Sequence, residues 1–167
     1  MNLHDAERLA VSLMQEHGLF EQGWRFRWST GKRQLGAAHV RHVRDRRTGR
    51  TTDIKTIRLS HHLVLLNDEA EVRDTILHEI AHALAGVERG HDARWRAVCR
   101  RIGARPQRLA GEHVATVAGR YHVICPRCSR TLAQRHRRPA RTWRQRAYCR
   151  HCGPDTIGKL QLRDARL

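Results

Sequence analysis

Thr75-Ile76-Leu77-His78-Glu79-Ile80-Ala81-His82-Ala83, with His91 nine residues beyond His82, sets the reading of this chain. Two histidines four apart on a helix share one face, about one turn apart, so both imidazoles reach a single ion, Zn²⁺ by default. Glu79 lies beside the pair, placed to take a proton from a water that such an ion activates. With His78 at 0° and about 100° per residue, His82 falls near 40°. Val72, Ile76, Ile80, Ala83, Leu84 and Leu77 spread over roughly 120–260° by the same rule. The apolar stripe therefore faces a core and the histidines face away from it, toward a cleft.

A catalytic zinc takes three protein ligands and keeps one position open. His91 is the nearest third donor, just past the Gly86–Gly90 loop, and Glu112 is the remote alternative. The metzincin pattern needs Gly and His where this chain has Ala85 and Glu88, so that class is excluded. The expected roles are His78, His82 and His91 as ligands of a catalytic zinc and Glu79 as general base.

The helix carrying the motif is expected over about residues 69–85, with Asn67-Asp68 as N-cap and Asp68 with Glu71 as a capping box. Before it, residues 3–16 carry apolar residues at three- and four-residue spacing, a core-facing helix ended by Gly18. Trp24-Arg25-Phe26-Arg27-Trp28 alternates as a strand, aromatics toward the helices and arginines outward. Leu35 to Val43 is expected as its return strand and Thr56 to Ser60 as a third, giving a small antiparallel sheet, with residues 45–53 as a polar turn. After the motif, a second helix begins at Asp92, with Trp95, Val98, Cys99 and Ile102 along its buried seam and Gly103 then Pro106 at its end. Cys99 reads as a small core residue.

Past Gly111 the texture changes. Cys125-Pro126-Arg127-Cys128 and Cys149-Arg150-His151-Cys152 are two C-x-x-C pairs, a four-cysteine structural zinc site of ribbon type with an intervening hairpin. Metal there stabilises a segment too short to bury much core. The expected division is residues 1–112 and 113–167.

The net charge is +17, and its distribution is uneven. Residues 24–59 hold eleven Lys and Arg against Asp45 and Asp53, and residues 113–154 hold ten Arg and no acid. Residues 60–112, around the histidines, balance at eight against eight. Two basic blocks flanking a neutral middle suit a periphery that meets nucleic acid. Arg25 and Arg27 on the outer strand face are expected phosphate contacts. So are Arg135, Arg137, Arg138, Arg141 and Arg144 between the cysteine pairs, with Trp143 to stack on unpaired bases. Neither a membrane span nor a secretory signal is read, so a reducing cytoplasmic setting is expected, nucleoid-associated if DNA is bound.

Residues 75–83, Gly90-His91-Asp92-Ala93-Arg94-Trp95, Ile102-Gly103-Ala104-Arg105-Pro106, the strand Ile57-Arg58-Leu59-Ser60 and the two cysteine pairs together resemble the SprT-like family, bacterial relatives of the Spartan protease. The resemblance covers about residues 55–153 well and the N-terminal part loosely. It implies an α+β fold, a zincin-like helical metalloprotease core followed by a C-terminal zinc ribbon. It implies the same three histidine ligands and Glu79 as base, with one catalytic and one structural zinc. It also implies DNA as partner, single-stranded or structured, and proteins bound or crosslinked to DNA as substrates. Many members carry Gly where this chain has Asp92. The alternative reading is a non-catalytic, zinc-containing nucleic-acid-binding protein or regulator.

Overall fold

The computed structural model describes residues 1–107 and 115–166. The chain divides into two compact units, Met1–Val117 and Ala118–Leu167, each mixed α+β with a three-stranded sheet. The boundary expected at 112/113 and the alternative ligand Glu112 both lie outside the described residues.

In the first unit, helix α1 (Leu3–Glu16) starts at Asn2, whose side chain accepts the N–H of Asp5, and buries Ala6, Ala10, Leu13 and Met14. Strands β1 (Trp24–Ser29), β2 (Gly36–Arg44) and β3 (Thr51–Ser60) follow. Their order is β1-β3-β2, with β3 antiparallel to β2 but parallel to β1. The expected antiparallel sheet is thus corrected to a mixed one. The return strand does not pair with β1, because Thr51–Ser60 takes the slot between them. That central slot suits β3, whose Ile57 and Leu59 are fully buried while β2 buries no residue completely. The polar turn is also shorter than expected. The Asp45 carboxylate accepts the N–H groups of Arg47 and Thr48, and the strand resumes at Thr51.

A short helix α2 (His61–Val64), capped by Ser60, leads into α3 (Glu69–Ala85). Asp68 caps α3 by accepting the N–H of Glu71. The Glu71 carboxylate of the expected box accepts from Arg105, which also binds Asp74, so the segment after the next helix is tied back onto α3. That helix, α4 (Ala93–Ile102), starts at Asp92, whose side chain accepts the Trp95 N–H at 2.9 Å. The Asx-type cap explains how Asp serves here: its carboxylate satisfies an amide that has no intrahelical partner. Helices α1, α3 and α4 and the sheet share one core in which Trp24, Ile76, Ile80, Trp95 and Cys99 are buried, and burial pushes the Cys99 thiol up to about 11.

In the second unit, β4 (Tyr121–Ile124) lies between β5 (Thr131–Arg135) and β6 (Gln161–Asp164), antiparallel to both. The hairpin encloses the first cysteine pair. The segment between the pairs supplies β5 and helix α5 (Arg141–Arg146) in place of the expected intervening hairpin. The third strand comes from the C-terminal tail, held by a bidentate contact of Arg120 with Asp164. The core is small: Val123, Cys125, Cys149 and Leu160. Among the described residues no helix is long and apolar enough to cross a membrane.

Candidate metal centres

Helical spacing brings His78 and His82 to one face of α3. The chain then has to reverse to bring a third donor back. Gly86 (φ +105°) and Gly90 (φ +60°) bracket a single 3₁₀ turn, Val87–Arg89, and both adopt backbone angles that side chains resist. His91 follows directly. Its Nε2 lies 3.2 Å from Nε2 of His78 and 3.2 Å from Nε2 of His82. An ion held tetrahedrally at ~2.0–2.1 Å from each nitrogen sets neighbouring nitrogens about 3.3 Å apart. The three donors fit that requirement. Burial, then the neighbouring imidazoles, push His78 down to about 4, and burial with His91 does the same to His82. Both are therefore neutral at pH 7, the form that donates to a metal.

Trp95, wholly buried, backs all three rings. Its ring centroid lies 4.8 Å from that of His78, 5.2 Å from His82 and 4.5 Å from His91. Sequence reasoning placed Trp95 in the core seam and missed this second role. Its place in the first turn of the helix that follows His91 gave no local signal of this, because His91 lies before the Asp92 cap and outside the helix.

Glu79 is buried beside the histidines, and its Oε2 accepts the backbone N–H of Ala38 at 2.7 Å. Burial pushes its carboxyl up to about 7, and the Ala38 N–H opposes that shift only in part. The contact requires β2 to pass very close to α3. A Cβ on Gly36 would stand 2.7 Å from Thr75 Cγ2 and 2.8 Å from Glu79 Cγ, so only glycine fits. Neither Gly36 nor the Ala38 amide was singled out from sequence, since their value lies in a non-local approach. These groups line a cleft of about 640 Å³, bounded on one side by residues 35–38 and on the other by the histidines and Val87.

The four cysteines meet in the second unit. Cys125 Sγ lies 3.8 Å from Cys152 Sγ, and Cys128 Sγ 3.8 Å from Cys149 Sγ. Those separations are far beyond a disulfide bond. They match the ~3.8 Å edge of a tetrahedron of sulfurs at ~2.3 Å from a zinc ion. Tight turns shape both pairs: Ser129 N–H donates to the Cys125 carbonyl and Gly153 N–H to that of Cys149. The Thr156 hydroxyl accepts the Cys149 N–H.

The expected nucleic-acid contacts are dispersed. Arg25 and Arg27 project from the outer face of β1, but Arg25 donates to the carbonyls of Trp24 and Phe20. In the second unit the Arg135 guanidinium lies 5.2 Å from the centre of the Trp143 ring. Trp143, with Arg141 and Arg144, is on α5, and Arg137 and Arg138 lie in the stretch before it.

A family model described as the SprT-like family matches residues 8–122. No curated protein matches the chain.

Proposed function

This chain belongs to the SprT-like family, which is associated with metallopeptidase-type activity, and from that footing we propose that it is a zinc-dependent endopeptidase with a zincin-like core, acting on proteins bound or crosslinked to DNA. The observation that carries the reading is the three-donor set with a buried carboxylate beside it. Among the described residues the histidine group holds three donors, and a structural zinc site takes four. Zinc bound there supplies Lewis acidity, to water and to the scissile carbonyl. His78, His82 and His91 hold it, and Trp95 fixes the ring planes. Glu79 takes the proton of the attacking water and returns it to the leaving amine. Burial in the cleft raises the carboxyl's affinity for a proton, which suits it to both transfers.

The substrate side of the cleft is an edge strand. Among the described residues β2 pairs only with β3, and on its other edge the Ala38 N–H is held by Glu79, so an extended peptide adding along residues 36–38 meets the backbone groups of that edge that Glu79 leaves. The four-cysteine unit holds a second, structural zinc. The two basic blocks bind DNA, and a cytoplasmic, nucleoid-associated setting is what that reading implies. The test is cleavage of a basic DNA-binding protein with and without single-stranded DNA. Glu79→Gln is expected to lose about 10²–10⁴-fold. Equal rates for both proteins would remove the enzyme reading, and identical rates with and without DNA would remove the coupling.

A further inference from the structure

A second depression, about 200 Å³, opens where the loop after β1 meets the end of β3. Its lining carries three cations, Lys32, Arg33 and Arg58, and no carboxylate. The two serines present are engaged with the loop itself. Ser60 Oγ donates to the Gly31 carbonyl and Ser29 Oγ accepts the Gly31 N–H. That fixes the loop and leaves the cations without an anionic partner in the notch. Arg58 is the informative one. Its Nε is buried and has no hydrogen-bond partner, although buried donors are almost always satisfied. With its Nε shut off from solvent, Arg58 has its terminal N–H groups to offer a ligand in the notch, and these suit phosphate oxygens.

The surroundings favour a strand over a small phosphate compound. In the sheet register Arg27 lies directly beside Arg58 on the outward face, so the positive surface continues past the notch. Apart from Gln34 and Leu35 the rest of the lining is Ser, Gly and Ala, with no aromatic ring for a nucleobase to stack on. Asp53, an acid on β3, is at the opposite end of the strand and is paired with His42.

We infer that this notch binds a backbone phosphodiester of nucleic acid, with Arg58 and Arg33 as its principal donors and Lys32 at its rim. The inference rests on the DNA-associated reading and gives it a place in the first unit. Residues 33–37 line both the notch and the histidine cleft, so a strand gripped here runs one loop's thickness from the site.

The experiment is a salt series of fluorescence anisotropy on the zinc-loaded full chain, with labelled oligothymidylate about 20 nucleotides long, a length ample for one site. Losing one phosphate contact lowers the salt slope by about 0.7, which is about fivefold in affinity at 0.1 M salt. Arg33→Gln and Arg58→Gln are each expected to show that loss, Arg58→Lys to keep the slope, and Arg96→Gln, on exposed α4 surface, to stay within about twofold of wild type. Arg33 is a loop residue, so its variant tests the notch even if Arg58→Gln unfolds. Unchanged slopes in both glutamine variants, with wild type still binding, would overturn the notch and leave the DNA reading intact. An equal loss in Arg96→Gln would overturn it too, as diffuse charge. Binding of inorganic phosphate by wild type but not by the glutamine variants, with unchanged strand slopes in both, would make it a free-phosphate site and overturn the strand assignment. No binding by wild type would remove the DNA reading and this inference together.

Discussion

Among the described residues, His78 and His82 stand on a helix whose other face is packed into a core of twenty-one buried residues, whereas Cys125 and Cys149 are themselves half of a four-residue core. The first donor set is an addition to a fold that the apolar residues already complete. The second set is part of what completes its fold. The difference follows from chain length: residues 1–107 bury enough apolar surface to order themselves, and about fifty residues do not without a staple. Among the described residues the first centre gathers three donors and the second four, which is the contrast the proposed catalytic and structural roles rest on.

The comparison breaks most visibly at the cysteines. Cys125→Ser should abolish slow hydrogen exchange across β4, β5 and β6 and release one zinc equivalent, while α3 and α4 stay protected. Loss of both zincs, or of α3 protection, would mean the centres are not separate. Next in size, Trp95→Ala should cost about 3–5 kcal/mol in denaturant unfolding of the first unit, a cavity cost, and weaken metal binding as well. His82→Ala is the counterpart, losing metal with little loss of fold. A large unfolding loss in His82→Ala would contradict the view that the histidines are additions.

Gly36→Ala should cost less, about 1–3 kcal/mol, because a methyl group is forced between β2 and α3. Its larger effect should fall on cleavage, since the Ala38–Glu79 contact is displaced. Unchanged kcat with an unchanged melting temperature would dismiss that role. The smallest effect is in pH. His78 and His82 are held down to about 4, so at these two ligands protons compete with metal near that value rather than at the 6.5 of an ordinary imidazole. Zinc retained at the histidine centre after dialysis should be flat from pH 7.5 to 5.5 and fall as pH drops toward 4. A decline already under way at pH 6.5 would count against the buried, neutral imidazoles.

What could be read in advance was what is local. The caps Asp68 and Asp92, the 3.6-residue stripe of α3, the loop glycines and the C-x-x-C spacings each act within a turn or two. The mixed sheet was not legible, because which strand takes the central slot depends on competition among three strands for one core. The tail strand β6 was missed for a related reason: Gln161–Asp164 has little apolar pattern and is placed by β4 and by Arg120. At the site, the grouping of the three histidines and of the four cysteines was legible from spacing. Their setting was not, since Trp95, Gly36 and the Ala38 amide act by touching residues far away in sequence or in a second capacity. The capping box was half right, for Glu71 is drawn to Arg105, a partner thirty-four residues on.

The most direct measurement is the crystal structure of the zinc-loaded chain with anomalous data at the zinc edge. The account predicts two zinc ions. One should lie ~2.0–2.1 Å from Nε2 of His78, His82 and His91, with a non-protein oxygen as the remaining ligand, and the other ~2.3 Å from four cysteine sulfurs. A fourth protein side chain on the first ion, or no ion among the three histidines, would contradict it.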